Sequence, residues 1–146
     1  MTLRATSYVR AGAWPAAEAA DQIILDYDHR HRRRLAVACQ RGLEILLDLP
    51  EAVHLRDGDA LVLETGDFIH VRARPEQLLE IRAGTPQHLA RLAWHLGNRH
   101  LAVQILPGRL LILHDHVIAQ MIADLGGNVA DIMAAFDPDS GASHHG

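Results

Sequence analysis

The sequence has no lysine, a single cysteine and only two each of tryptophan, tyrosine and phenylalanine in 146 residues. Each shortage removes a class of chemistry. All 14 basic residues are arginine, so neither Schiff-base catalysis nor the lysine of a phosphate-binding P-loop is available. The lone Cys39 excludes an internal disulfide framework and a thiolate zinc knuckle, and it fits a reducing compartment, so the expected location is the cytoplasm. The N-terminal "MTLRATSYVRAG" lacks the apolar core of a secretory signal, and no run approaches the roughly 18 apolar residues of a membrane span; a soluble, non-exported chain is expected. With 14 basic and 18 acidic residues, the formal charge of -4 provides no general attraction to nucleic acid or to an anionic membrane. There is no HExxH, no GxSxG elbow and no glycine-rich phosphate loop, so the chain is not expected to be an enzyme.

What is present is a 49% hydrophobic composition, enough for a folded core, written in two grammars. Residues 1–75 read as short strands. "RLAVACQ" alternates with Leu35, Val37 and Cys39 on one face, and "GLEILLDL" and "DALVLETGDFIHVRA" follow, separated by turns at "RDGD" and "TGD". This spacing predicts a small all-β sandwich or barrel-like domain. After the break at Pro75 the period changes. "LLEIRA" reads as a strand and "GTPQHLARLAWHLGN" as a helix, with Thr85 as N-cap, Pro86 in its first turn and Gly97 just past its end. "HLAVQIL" and "RLLILH" read as strands joined by a Pro107-Gly108 turn. Asp115 caps a second helix whose Val117, Ile118, Met121, Ile122 and Leu125 are expected to face inward, ended by Gly126 and Gly127, and "NVADIM" is a last short strand. The order β-α-β-β-α-β predicts a ferredoxin-like domain over residues 76–135. The whole is therefore a two-domain α+β protein, with residues 136–146 as a flexible, histidine-containing tail.

Histidine is the abundant functional residue. Seven of the eleven histidines lie after residue 75, and four, His95, His100, His114 and His116, fall within 22 residues. Neutral imidazole suits zinc, copper and nickel alike. If "HLAVQIL" is a strand, His100 begins it on the face with Ala102 and Gln104, away from the aliphatic core. His114 ends a strand and His116 occupies the first turn of a helix, where the dipole favours a neutral ring; with Asp115 between them, their rings need not point the same way. His88 and His95 share one side of the first helix and read as solvent-facing or satisfied by polar neighbours. His144 and His145 sit in the tail, either as metal-scavenging residues or as the remnant of a tag. The arginine-rich "DYDHRHRRRL" (Arg30, Arg32, Arg33 and Arg34) invites a nucleic-acid reading, but Asp26 and Asp28 offset it. An RNA-recognition module would also need base-stacking aromatics, which "HLAVQIL" and "RLLILH" lack. The loop reads better as a surface for protein partners.

The stretch "WHLGNRHLAVQILPGRLLILHDHVI" resembles the signature region of the UreE family of urease accessory proteins, the nickel metallochaperones. The resemblance extends through "DYDHRHRRRLAV", "GLEILLDLPEAVHLRDGDALVLE" and "LLEIRA", nearly the whole chain. It implies a peptide-binding-like N-terminal β domain and a ferredoxin-like metal-binding domain that forms a homodimer. On the same footing, His100 of "GNRH" would bind Ni2+ beside its symmetry mate, a site that Zn2+ or Cu2+ also fits. His114 and His116 would be auxiliary metal ligands, and His144 and His145 would match the histidine-containing tail. The implied partners are apo-urease and its accessory GTPase, with no nucleic acid and no membrane. The readings from other classes are a protein-interaction adaptor with incidental histidines and an RNA-binding ferredoxin-like module.

Overall fold

The computed structural model describes residues 2–139. The chain divides into two compact units, residues 1–74 and 75–146, and no helix among the described residues is long and apolar enough to cross a membrane.

In the first unit six strands form one mixed sheet: β1 (Leu3–Val9), β2 (Asp21–Leu25), β3 (Arg34–Ala38), β4 (Glu44–Asp48), β5 (Ala60–Leu63) and β6 (Phe68–Ala73), in the order β2-β6-β5-β1-β4-β3. The pairs β1·β4 and β2·β6 are parallel and the others antiparallel. Alternation sends Ile23 and Leu25, Ile45 and Leu47, Leu61 and Leu63, and Ile69 and Val71 into one shared core, with Leu35 and Val37 packed against it. No α-helix among the described residues of this unit covers that core, so the sheet must close over it. The closure is visible where the chain leaves edge strand β3: the Gln40 amide donates to the carbonyl of Gln22 on the opposite edge strand at 2.9 Å, and the Arg41 amide donates to Asp21 Oδ1 at 2.9 Å. Joining the edges also removes most of the unpaired backbone that an open sheet would expose.

Arg30 departs from the reading of a charged surface loop. It is fully buried, donating from Nε to the Leu25 carbonyl at 3.3 Å and from Nη1 to the Leu55 carbonyl at 3.0 Å, while the Leu55 amide donates to the Arg30 carbonyl at 2.9 Å. The guanidinium thus ties the end of β2 to the segment before β5. Arg32 and Arg33 do remain at the surface, paired with Asp28 at 2.7 Å and donating to the Leu49 carbonyl at 3.2 Å, respectively.

The second unit comprises β7 (Pro75–Arg82), α1 (Pro86–Asn98), β8 (Gln104–Leu106), β9 (Arg109–Leu113), α2 (His116–Asp124) and β10 (Asn128–Ala135). Its antiparallel sheet has the order β10-β7-β9-β8, so the first strand of this β-α-β-β-α-β sequence lies centrally, as in ferredoxin-like sheets. Leu92 and Leu96 of α1 and Ile118 and Ile122 of α2 pack on Leu79, Ile81, Leu110 and Ile112 of the sheet. The Thr85 hydroxyl accepts from the His88 amide, with Pro86 at the first helical position, and Asp115 Oδ1 accepts from the Val117 and Ile118 amides.

Four expectations change. Val117 and Leu125 are exposed, because the buried stripe of the nine-residue α2 is narrow and centred on Ile118 and Ile122. The strand expected from residue 100 begins only at Gln104, and Ile105 on this three-residue edge strand is exposed. The last strand runs to Ala135. Residues 136–139, expected as the start of a flexible tail, pack back on the second unit: Phe136 is completely buried, Pro138 is buried as well and the Asp139 amide donates to the Val103 carbonyl at 2.9 Å.

Two titratable groups of the first unit carry consequences. Burial pushes the Cys39 thiol up to about 11, so at pH 8 it should resist alkylation by iodoacetamide in the folded protein and react after denaturation; rapid native-state labelling would contradict its placement. His54 sits edge-on to Tyr27 with ring centroids 5.0 Å apart, and its buried Nε2 has no hydrogen-bond partner. Burial first, and then the charges of Arg30, Arg56, His31 and Arg10, bring its pKa down to about 4. Because the folded state holds this ring neutral while the unfolded chain protonates near 6.5, its contribution is complete above pH 6.5 and is lost as the pH falls through about 4. Urea midpoints measured from pH 7.5 to 4 should therefore decline less steeply in His54→Phe than in the unsubstituted protein.

Candidate metal site

The site is built around the end of α1. Gly97, expected to stop this helix, lies inside it; the stop is made by the backbone of His100, the only non-glycine residue with positive φ among the described residues, at φ 62°. The His100 amide donates to the Gly97 carbonyl at 2.9 Å and the Leu101 amide to the Leu96 carbonyl at 3.2 Å. These are the paired bonds of a Schellman ending, whose left-handed residue is ordinarily glycine. The second helix of the same unit provides an internal comparison. There the Gly126 amide donates to Ala123 at 3.0 Å and the Gly127 amide to Ile122 at 2.9 Å, with Gly126 at φ 83°. Two helices end in the same motif, one with glycine and one with histidine in the left-handed position.

That substitution has a cost. A side chain at positive φ crowds the neighbouring backbone, at roughly 1 kcal/mol. In return the imidazole is held on a fixed backbone: two hydrogen bonds set its main chain, while Leu101 and Val103, immediately after it, pack against the core. The ring itself is exposed. His100 is thus directed outward by a helix ending, and not by strand alternation.

His114 follows β9, its amide donating to the Gln77 carbonyl at 3.1 Å and its Nε2 lying 3.6 Å from Asp131 Oδ1 on β10. His116 is the first residue of α2, and both rings are exposed. The capping role of Asp115 turns the chain between them. Among the described residues no three His, Cys, Asp or Glu side chains converge on a position that could hold an ion, so those residues of one chain bring neither His100 nor the His114 and His116 pair into a complete ligand set. His144 and His145 lie outside the described residues.

Other histidines have local partners. The His88 ring Nε2 is 2.8 Å from the Leu125 carbonyl, joining α1 to the C-terminal end of α2, and Gly126 leaves the room for it, since a Cβ there would stand 3.2 Å from His88 Cε1. His95 meets the Trp94 ring edge-on at 5.1 Å, and His29 Nδ1 lies 2.7 Å from Asp26 Oδ1. The sequence carried no signal for the half-buried place of His54, whose ring packs on Tyr27 and feels the charge of Arg30, residues more than twenty positions away. Nor did it mark residues 136–139, where Phe136 was the single apolar cue.

Comparison with known proteins agrees with this division of the chain. Family models for the N-terminal and C-terminal domains of the UreE urease accessory protein match residues 5–74 and 76–146. The chain is 58% identical over 140 residues to the urease accessory protein UreE of Bradyrhizobium sp. (strain ORS 278), covering 96% of this chain and 66% of that protein. It is 60% identical over 124 residues to that of Rhodopseudomonas palustris (strain HaA2), covering 85% and 58%. With the relative from Agrobacterium fabrum (strain C58 / ATCC 33970) it shares 50% over 145 residues, 99% of this chain and 89% of that one. It thus spans less than two thirds of the length of the Rhodopseudomonas protein and slightly under two thirds of the Bradyrhizobium one. With both halves matched and one relative covered almost end to end, the chain belongs to the UreE family of urease accessory proteins.

Proposed function

We propose that this protein is a urease maturation accessory, not an enzyme, that binds nickel through His100 and delivers it in the cytoplasm to apo-urease together with the accessory GTPase. The observation that carries the proposal is the exposed imidazole of His100 on a strained, left-handed backbone, where the equivalent position of α2 has glycine. Strain of this kind persists where a side chain is needed for function. A single imidazole is a weak ligand, but a two-fold axis presents it twice, and a homodimer around His100 would make a ligand pair without a second motif. In support of such a dimer, all six large exposed hydrophobic side chains among the described residues, Trp94, Ile105, Leu113, Val117, Leu125 and Met133, belong to the second unit.

An open site of few imidazoles suits a carrier, since free coordination positions admit the incoming ligand of the acceptor. The same donor set accepts Zn2+ and Cu2+, with copper favoured on intrinsic affinity, so selectivity would come from the partners and from metal supply. In this reading His114 and His116 are auxiliary ligands, and His144 and His145 add to the central site.

Light scattering at micromolar concentration with nickel present should give a dimer; a monomer would contradict the paired site. In calorimetric titration with nickel, His100→Ala should abolish the tightest event, expected at one ion per dimer, while His114→Ala and His116→Ala remove only weaker binding. An unchanged tight event in His100→Ala would overturn the proposal. His100→Gly separates function from folding: it should lose the same nickel event yet stabilise the protein by about 0.5–1 kcal/mol, since glycine relieves the left-handed strain. A lowered melting temperature would mean that the imidazole supports the fold.

A further inference from the structure

Charge is unevenly placed in the second unit. Residues 81–114 hold four arginines and no aspartate or glutamate, in a chain whose formal charge is -4. Two of the four are answered by one carboxylate: Arg82 Nε lies 3.2 Å from Glu80 Oε1, and Arg109 Nη1 lies 2.7 Å from Glu80 Oε2. The other two, Arg91 and Arg99, are exposed and have no carboxylate partner among the described residues. Both belong to α1 and its C-cap, and between them stands Trp94, 64% exposed. Three residues apart on a helix, Arg91 and Trp94 are neighbours on one face, which Gln87 and Asn98 extend by a turn at either end. It is the face opposite Leu92 and Leu96, which pack on the sheet.

We propose that this outward face of α1, centred on Trp94 and bounded by Arg91 and Arg99, is where the protein that receives the metal docks, and that the matching surface is acidic with an apolar recess for the indole. The inference deepens the delivery reading and rests on it for what the docked protein receives. Trp and Arg are the residue types that most often dominate the energetics of protein interfaces, and the indole combines a large apolar area with one polar edge. Charge decides the kind of partner. Because α1 carries no acidic residue, a second copy docked through the same face would set the arginines of both chains against one another with no carboxylate on either helix to offset them. Nucleic acid is a poorer match, since these arginines would neutralise only about two phosphates. An acidic protein surface supplies the missing charge. The position suits delivery as well: Trp94 precedes His100 by six residues, about 9 Å along the helix axis, so a protein seated here lies beside the exposed imidazole. The His95 ring meets the indole edge-on at 5.1 Å and restricts it, which lowers the entropy lost on docking.

The test titrates the full chain with purified apo-urease and, separately, with the accessory GTPase, at low and at high salt. At least one should bind, and more weakly as salt rises. Against that protein, Arg91→Glu combined with Arg99→Glu should lose about tenfold or more in affinity, chiefly through slower association. Trp94→Ala should lose about tenfold, chiefly through faster dissociation. Arg91→Lys combined with Arg99→Lys retains the charge and should keep most of the affinity. In every variant the melting temperature, the oligomeric state and the tight nickel event should stay as they are, which separates docking from folding, assembly and metal binding. Failure of both proteins to bind, or binding that none of these substitutions weakens, would overturn the inference. Dissociation of Trp94→Ala into monomers would mark the face as a contact between copies, and tight, salt-sensitive binding of single-stranded RNA that Trp94→Ala abolishes would mark it as a stacking platform for bases; either result also overturns it. If His100→Ala keeps the tight nickel event while Trp94→Ala loses its partner, the metal reading is wrong and the docking face stands. If His100→Ala loses that event while Trp94→Ala binds its partner normally, the docking face alone is wrong.

Discussion

The two hydrogen bonds that close α1, from the His100 and Leu101 amides back to the Gly97 and Leu96 carbonyls, are the constraint on which the candidate site depends. Because they form only if residue 100 adopts a left-handed conformation, they fix the main chain under the imidazole, and the burial of Leu96 with the packing of Leu101 ties that main chain to the core. An imidazole on a free loop would pay conformational entropy each time it met an ion or a symmetry mate. Here the ordering is supplied by folding.

The matched endings of α1 and α2 show how this works. Gly126 takes the left-handed position at little cost and leaves room for the His88 ring, which reaches the Leu125 carbonyl and couples the two helices. The domain thus uses one capping geometry for two ends: at α2 the small residue serves packing, while at α1 the larger one forgoes some stability and projects an exposed imidazole. A local departure from the favoured residue type is understandable where the side chain serves something other than the fold.

The first unit solves a different problem, that of covering a sheet with no helix. It does so by bringing its edges together through Gln40 and Gln22 and by burying a cation, Arg30, among backbone carbonyls. A guanidinium suits this place because its planar array of donors can satisfy several carbonyls at once. Burial, reinforced by the charge of Arg30, also holds His54 neutral, so this histidine belongs to the architecture of its unit, whereas the exposed His100, His114 and His116 do not.

The sequence by itself determined the features whose physics acts within a turn or two of chain: the Thr85-Pro86 start of α1, the Asp115 cap of α2, the glycine that ends α2, the Gly108 turn, the alternating strands, and the concentration of imidazoles after residue 75. Each depends on a side chain or a backbone preference satisfied by neighbours in sequence, so residue type and spacing suffice to read it. Tertiary structure alone decided that Arg30 is interior, that Val117 and Leu125 face out, that residues 136–139 return across the sheet to β8, and that His100 and not Gly97 ends α1. Those outcomes depend on partners far away along the chain: carbonyls at residues 25 and 55 for Arg30, the edge of β8 for Asp139, and the core that holds Leu96 and Leu101 on either side of His100. A non-glycine residue enters the left-handed region only when such packing outweighs its intrinsic preference, and no local pattern records that balance.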